Sequence, residues 1–304
     1  MSTLPTPVTS GPQSISIPAL RFHKVVACIC VAMLVVAVAG SRLVSIETGA
    51  AGFAVAAFVA LAVVAPLLLY WREKRRLVLL EAALLLIWEL LIASVAPLLV
   101  LVLARLRMPL QDTYLGRADH GLGVSVPAMA AWANGHWLGR MINASYPLIM
   151  PLLVVAALLP LLMGRLPVTR RFLLANLVAL AVGFAAFAIF PAVGPWSYYH
   201  FTPDRSQANC QILLFSLRRP GPYIPPRAVA GIVCFPSFHV IWAVLSAAAL
   251  WCFRYLRIPV VLLAVMIVLS TMTTGWHYFV DVLAGLALAV VSMFIAKPYS
   301  ESKD

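Results

Sequence analysis

The segment FLLANLVALAVGFAAFAIF, residues 172–190, contains no charged side chain and ends directly before Pro191. A helix needs about 20 predominantly apolar residues to cross the hydrocarbon core of a bilayer. A helix on the surface of a soluble protein keeps one polar face, and this segment has none. It therefore predicts a membrane-spanning helix in an integral membrane protein.

Seven further apolar runs surround this segment. Together they predict an all-α fold, a polytopic membrane helical bundle of about eight transmembrane helices. The predicted spans are residues 25–44, 50–71, 77–106, 138–163, 172–190, 239–255, 259–273 and 278–296.

The composition agrees with this class. The chain is 63% hydrophobic and 11% charged, with a mean hydropathy of +0.99, whereas a soluble domain carries about 25% charged residues. The net charge of +12 would suit nucleic-acid binding, but Lys and Arg lie mainly in short clusters between the apolar runs. Such clusters are topology signals, so we expect a bilayer and no nucleic acid as partner.

The basic clusters also predict the orientation. With eight crossings they fall on one side, which the positive-inside rule makes cytoplasmic. Both termini of this multi-pass protein are then cytoplasmic, and the loop of residues 191–238 lies on the non-cytoplasmic face. His239 and His277 emerge on that same face, although the topology was predicted without using either residue.

Two segments carry the catalytic types of side chain: FPSFH at residues 235–239 and GWHYFVD at residues 275–281. Ionisable groups at the edge of an apolar run are expensive and therefore indicate function. His277 and Asp281 are four residues apart, which places them on one face of a helix. A carboxylate bonded to one imidazole nitrogen fixes the tautomer and leaves the other nitrogen free to attack.

The first segment predicts a helix start. Pro236 and Ser237 precede an apolar run, with Ser237 as a cap or first-turn donor, and the N–H groups of a helix N-terminus suit an anion. His239, in the first turn, is placed to protonate a leaving oxygen. The simpler alternatives are that Ser237 is only a cap and that Trp276 and Tyr278 belong to an interfacial aromatic belt.

The loop of residues 191–238 is basic although it lies outside. One interpretation is that a long loop is translocated regardless of its charge. The other is that arginines in it bind phosphate, because guanidinium presents a planar, bidentate set of donors. The candidates are Arg218, Arg219 and Arg227, and the sequence does not choose among them.

At these residues the chain resembles the superfamily of type 2 phosphatidate phosphatases, vanadium haloperoxidases and sphingolipid phosphotransferases. Residues 236–239 match its second motif, and His277 with Asp281 matches its third. The resemblance covers roughly residues 172–296 and implies a six-helix catalytic core. It implies that His277 attacks phosphorus to form a phosphohistidine, that Asp281 partners it, and that His239 protonates the leaving group.

The chain also departs from the phosphatase pattern. The third motif normally begins Ser-Arg, and this chain has Ser270-Thr271; the Lys-and-Arg first motif is absent too. In its place stands PAVGPWSY, residues 191–198, which contains Trp196 and is similar to the inositol phosphorylceramide synthase branch. The pair His277-Tyr278 likewise resembles that branch and the sphingomyelin synthases, whose members transfer a phospho-headgroup between lipids. Trp196 and Tyr278 are therefore candidate substrate-binding residues.

The expected function is a membrane lipid phosphotransferase that moves an inositol-phosphate-like headgroup to a lipid or polyol hydroxyl. The first alternative is a phosphatidate or polyprenyl phosphate phosphatase that uses water, and the second is a transporter or lipid-binding protein without activity. The substrate partner is a phospholipid or lipid phosphate. No metal-ligand spacing and no glycine-rich nucleotide motif is seen, so we expect no metal and no cofactor.

The chain is expected to divide into five parts. These are a disordered tail (1–20), N-terminal transmembrane helices (21–107), an interfacial or re-entrant segment on the non-cytoplasmic face (108–137), a catalytic membrane domain (138–296) and a cytoplasmic tail (297–304). Cys210 and Cys234 both fall in the outer loop, where they form a disulfide if the compartment is oxidising and remain thiols otherwise.

Overall fold

The structure, a computed structural model, describes residues 17–46, 77–223 and 231–299. The predicted span 50–71, the basic residues 72–76, Arg227 and most of each predicted tail lie outside the described residues. Within those ranges the chain is helical, and an isolated β-bridge joins Ile46 to Tyr223. The predicted all-α class is confirmed.

Twelve α-helices follow one another along the described residues. Most are long and apolar, and several short ones lie between residues 112 and 145 and between 195 and 217. They are α1 (Ile17–Leu43), α2 (Leu77–Ala104), α3 (Asp112–Gly121), α4 (Val126–Gly135), α5 (Trp137–Ser145), α6 (Ile149–Leu162), α7 (Leu166–Ile189), α8 (Pro195–Tyr199), α9 (Arg205–Leu217), α10 (Phe238–Leu250), α11 (Arg257–Thr273) and α12 (Phe279–Ala296).

Five stretches of the described chain are long and apolar enough to cross a membrane: Arg21–Leu43, Glu81–Ala104, Trp137–Leu162, Leu166–Ile189 and Phe279–Ala296. Phe238–Leu250 and Arg257–Thr273 are shorter apolar helices. Seven of the eight predicted spans therefore coincide with these helices. A multi-pass helical membrane protein is the architecture that results.

One predicted boundary is wrong. The span predicted for residues 239–255 ends as helix α10 at Leu250. The side chain of Arg257 donates a hydrogen bond of 2.8 Å to the Trp251 carbonyl. That carbonyl would have served a continuing helix, and Tyr255 is instead 81% exposed. The helix therefore ends five residues earlier than its hydropathy indicates.

Helices α7 and α10 form the centre of the bundle. α10 packs against α6, α7, α11 and α12, while α7 also packs against α12 and α2, with α1 outside α2. Two polar contacts join helices: Trp242 donates to Asn176 at 3.0 Å, and Arg170 and Glu81 form an ion pair at 3.0 Å. The candidate site lies where α10 begins, α11 ends and α12 begins.

Candidate active site

His277 and His239 come together at this end of the bundle. His277 lies on the short link between α11 and α12, and His239 lies in the first turn of α10. Their ring centroids are 5.9 Å apart. Residues separated by one helical hairpin in the sequence are thus neighbours around a common space.

The imidazole of His277 is held by the backbone. Its Nδ1 lies 2.9 Å from the carbonyl oxygen of Cys234 and 3.4 Å from Oδ2 of Asp281. A carbonyl oxygen only accepts, so Nδ1 carries the proton and the Nε2 lone pair is free. His277 is buried, and burial lowers its pKa to about 4. The ring is therefore neutral at pH 7 and has the tautomer that a nucleophile needs.

Asp281 lies in the first turn of α12 and is completely buried. Its Oδ2 accepts hydrogen bonds from the Tyr278 N–H at 2.9 Å and from the Cys234 thiol at 3.2 Å. The sequence pattern assigned Asp281 as the hydrogen-bond partner of His277. In the structure the Cys234 carbonyl is the nearer acceptor at 2.9 Å, and Oδ2 of Asp281 lies beside the ring at 3.4 Å.

His239 is positioned by an aromatic stack. Tyr146 lies face to face with its ring, with centroids 4.1 Å apart and an angle of 16° between the planes. Trp276 stacks on Tyr146 in turn, with centroids 5.9 Å apart. These rings cover one side of the site and restrict the orientation of His239.

Ser237 is the N-cap residue of α10, as predicted from its position, but its side chain does not cap the helix. Its Oγ is buried and has no hydrogen-bond partner among the described residues. Its N–H donates to the Asp281 carbonyl at 3.2 Å. An unpaired buried hydroxyl at a helix N-terminus is available to a bound anion.

Two carboxylates of α3 support the site from outside. Asp119 accepts hydrogen bonds from the N–H groups of Phe279 at 2.8 Å and Val280 at 2.9 Å. Asp112 accepts from the Val193 and Gly194 N–H groups, the latter at 2.9 Å. Burial raises the pKa of Asp119. Neither role was predicted from the sequence. A signal was present, because the chain has only 10 acidic residues and these two, seven positions apart, share one helix face.

Tyr278 and Trp196, which the sequence placed among the substrate-binding residues, are both buried. The Tyr278 hydroxyl lies 3.0 Å from Asp112 Oδ1 and 3.0 Å from the Gly194 carbonyl. Trp196 donates to Gln211 at 2.8 Å and packs edge-on against Trp276, with centroids 5.7 Å apart. Through these contacts, Tyr278 and Trp196 connect the wall of the site to the helices around it.

The structure does not bring Arg218 and Arg219 to His277. Helix α9 meets the site at its start, where Gln207 donates to the Thr274 carbonyl at 3.0 Å. Arg218 follows eleven residues later, about 16 Å along the helix at ~1.5 Å per residue. Its guanidinium donates to the Met108 carbonyl at 2.7 Å, and Arg219 is exposed.

One group of side chains within the described ranges has the composition of a metal site. A ligand atom from each of Cys234, His277 and Asp281 lies within 4.8 Å of the others. The hydrogen bonds already described account for this proximity, because the thiol and the imidazole each direct a proton at an acceptor. The expected absence of a metal stays a prediction. Cys234 is a thiol, and no disulfide joins it to Cys210.

The comparisons with known proteins give one match. The family model described as the PAP2 superfamily matches residues 113–295. No curated protein and no solved structure matches the chain. The match begins about 60 residues before the point at which the motifs suggested a resemblance, and it takes in helix α3 with Asp119. It covers more than half of the chain, and the chain therefore belongs to the PAP2 superfamily.

Proposed function

We propose that the protein is an integral membrane lipid phosphotransferase that works through a phosphohistidine at His277. Membership in the PAP2 superfamily supports the coarser statement, a phosphoesterase that acts on lipid phosphates. The observation that carries the proposal is the 2.9 Å contact between His277 Nδ1 and the Cys234 carbonyl. With the proton on Nδ1, the lone pair is on Nε2, on the opposite side of the ring from the Cys234 carbonyl.

In the first step Nε2 of His277 attacks phosphorus, and the phosphorus–oxygen bond to the lipid breaks. His239 enters this step protonated, beside the negatively charged phosphate, and donates that proton to the departing oxygen, so a lipid alcohol leaves and His239 becomes neutral. In the second step His239 takes the proton of an acceptor hydroxyl, whose oxygen attacks the phosphohistidine. The nitrogen–phosphorus bond breaks, and both histidines return to their starting states.

Two features support a role for Ser237 and the start of α10 in binding the phosphate. The family's Ser-Arg position is Ser270-Thr271 here, and the hydroxyls of both residues donate to carbonyls of their own helix. The buried Oγ of Ser237, which has no partner in the part of the chain that the structure describes, lies one helical turn or less from His239. Phosphate oxygens at that helix end would meet free N–H groups and the positive end of the dipole.

Transfer to a lipid or polyol is favoured over hydrolysis by burial. His277, Asp281 and Ser237 are each at most 3% exposed, and Tyr146 and Trp276 cover the site. A site that excludes water protects a reactive intermediate from hydrolysis. The similarity of residues 191–198 and His277-Tyr278 to the transferase branch points in the same direction. The active site is proposed to face the non-cytoplasmic side, with both termini in the cytoplasm.

The second candidate is a lipid phosphate phosphatase, for which superfamily membership is the favouring observation. In that reaction water replaces the acceptor alcohol in the second step, and His239 takes a proton from the water. The first step is the same, so the two candidates share His277, Asp281 and His239.

The test compares purified protein with His277→Ala on a panel of labelled phospholipids and lipid phosphates. Mass spectrometry follows lipid products and free phosphate, with and without inositol and lipid alcohols as acceptors. A new phospholipid that needs the acceptor and is lost in the variant supports transfer, whereas free phosphate regardless of acceptor supports the phosphatase. Turnover of no lipid, with variant and wild type alike, would refute both and leave transport or lipid binding.

A further inference from the structure

We propose that Cys234 is the positioning residue of the site, holding His277 through its carbonyl and Asp281 through its thiol. This role rests on the proposed function, in which His277 attacks phosphorus. The sequence pattern indicates a disulfide with Cys210 as the one candidate role of Cys234. The structure gives it two hydrogen bonds to the two residues on which the first chemical step depends.

Both bonds of Cys234 are short and buried. Its carbonyl oxygen lies 2.9 Å from His277 Nδ1, and its thiol donates to Asp281 Oδ2 at 3.2 Å. Cys234 is 4% exposed and Asp281 is 0% exposed, so water does not compete for either contact. Hydrogen bonds to a buried carboxylate are among the stronger ones in proteins.

The thiol decides how much charge Asp281 offers to His277. Oδ2 of Asp281 lies 3.4 Å from His277 Nδ1, and this same oxygen accepts from the thiol and from the Tyr278 N–H. Each hydrogen bond that Oδ2 accepts reduces the negative charge available to the imidazole. By donating to Oδ2, the Cys234 thiol limits how strongly Asp281 favours a protonated imidazole, in addition to the burial that keeps His277 neutral.

The cysteine is suited to donate and not to ionise. Burial, with the nearby Asp281 carboxylate as a further cause, raises the pKa of the Cys234 thiol well above its ordinary value. A thiol that stays protonated donates a hydrogen bond throughout the pH range in which His277 is neutral. The proposed role rests on the 3.2 Å contact between the thiol and Asp281 Oδ2, and a protonated thiol is consistent with that contact.

Two variants test the role. Cys234→Ala removes the donor and keeps the carbonyl, whereas Cys234→Ser keeps a donor of similar size. We expect Cys234→Ala to lower kcat roughly tenfold with little change in KM, the usual scale for removing a supporting hydrogen bond. Because the carboxylate then stabilises the imidazolium more, the acid limb of kcat/KM moves to higher pH. Cys234→Ser restores both values.

Cys252→Ala is the matched control. Its thiol donates to the Ala249 carbonyl beyond the last turn of α10, away from His277. We expect its pH profile to equal that of the wild type. An unmoved profile and kcat in Cys234→Ala, or an equal loss in the alanine and serine variants, would overturn the positioning role.

A second measurement does not depend on activity. The infrared difference between wild type and Cys234→Ser isolates the S–H stretch of this one thiol. A hydrogen bond to Asp281 lowers the stretching frequency, and Asp281→Ala, which leaves only the more distant Trp276 carbonyl at 3.8 Å among the acceptors seen here, raises it. A band already at the frequency of an unbonded thiol in the wild type would refute the inference.

A failure of the proposed function can be distinguished from a failure of the proposed role of Cys234. A wild-type protein that turns over no lipid refutes the proposed function itself. Wild-type turnover with an unmoved Cys234→Ala profile leaves the proposed function standing and refutes only the role of Cys234.

Discussion

Asp119 accepts a hydrogen bond of 2.8 Å from the backbone N–H of Phe279, a residue 160 positions later in the chain. The bond attaches the short helix α3 to the first turn of α12. The first N–H groups of a helix have no partner within it, and a carboxylate there also interacts favourably with the helix dipole. Asp281 lies in the same turn, so α3 helps to position the carboxylate beside His277.

Replacing Asp119 with Ala should therefore reduce activity indirectly, by changing the position of the first turn of α12. The N–H groups of Phe279 and Val280 lose their acceptor, which costs about 1–3 kcal/mol when such groups stay buried. We expect a lower melting temperature and a fall in turnover on the order of tenfold. Asp119→Asn, which keeps one oxygen acceptor, should lose less. Asp204→Ala, which removes the cap of α9, is the control for a helix cap alone. Wild-type turnover in Asp119→Ala would contradict this view.

The buried imidazole of His277 predicts an unusual pH dependence. Because burial lowers its pKa to about 4, the nucleophile stays neutral far below the ordinary pKa of about 6.5. We expect the acid limb of kcat/KM to fall near pH 4, measured at constant ionic strength. His120→Gln, which changes an exposed histidine, should leave the profile unaltered. A limb near pH 6.5 would show that His277 is not held neutral.

The same group links stability to pH. A folded-state pKa below the unfolded value means that the unfolded chain binds the proton more readily. The contribution of His277 to stability is then fully present above about pH 6.5 and is lost as the pH falls through about 4. Thermal unfolding of the wild type in detergent should show this loss, and His277→Gln should reduce it. An equal decrease in both proteins would assign the effect to other groups.

Gly285 permits the close approach of α12 to the start of α10. A Cβ atom at this position would lie 2.8 Å from the Ser237 carbonyl oxygen and 3.1 Å from Val240 Cβ. Backbone atoms do not move aside easily, so Gly285→Ala should separate the two helices and move Ser237 and His239 relative to His277. We expect turnover to fall roughly tenfold, since small displacements in a site are costly.

The control for that substitution is Gly121→Ala at the end of α3. A Cβ atom there would meet no atom within 4 Å. Turnover and melting temperature should stay at wild-type values. If Gly285→Ala retained full activity with an unchanged melting temperature, the close approach would not matter for the site.

The ion pair between Arg170 and Glu81 should matter for stability and not for chemistry. The two side chains are 6% and 16% exposed and lie 3.0 Å apart. Glu81→Gln leaves a buried guanidinium without its counter-charge, which costs about 3–5 kcal/mol. We expect a marked fall in melting temperature with unchanged turnover per folded molecule. Replacing both residues, by Glu81→Leu with Arg170→Met, should recover much of the loss; no recovery would show that packing, not charge, was removed.

Much of the fold was predictable because hydropathy is a local property. Each spanning helix satisfies its own backbone hydrogen bonds, so a long apolar run such as residues 172–190 predicts its helix without knowledge of the neighbours. The end of α10 was predicted wrongly because the Arg257 side chain, seven residues beyond Leu250, donates a hydrogen bond to the carbonyl of Trp251, the residue that follows the helix. Side-chain capping from outside a helix is not visible in a hydropathy pattern.

Local patterns of residues were enough to predict a helical membrane protein, seven spans that match helices of the described chain, and two segments with His239, His277 and Asp281 as candidate site residues. The three-dimensional arrangement was needed to show that the His277 proton points at the Cys234 carbonyl and that Asp119 bonds the start of α12. Those contacts join residues 43 and 160 positions apart. They exist because packed helices bring distant loops into hydrogen-bond distance, and no local pattern of residues encodes which acceptor comes nearest.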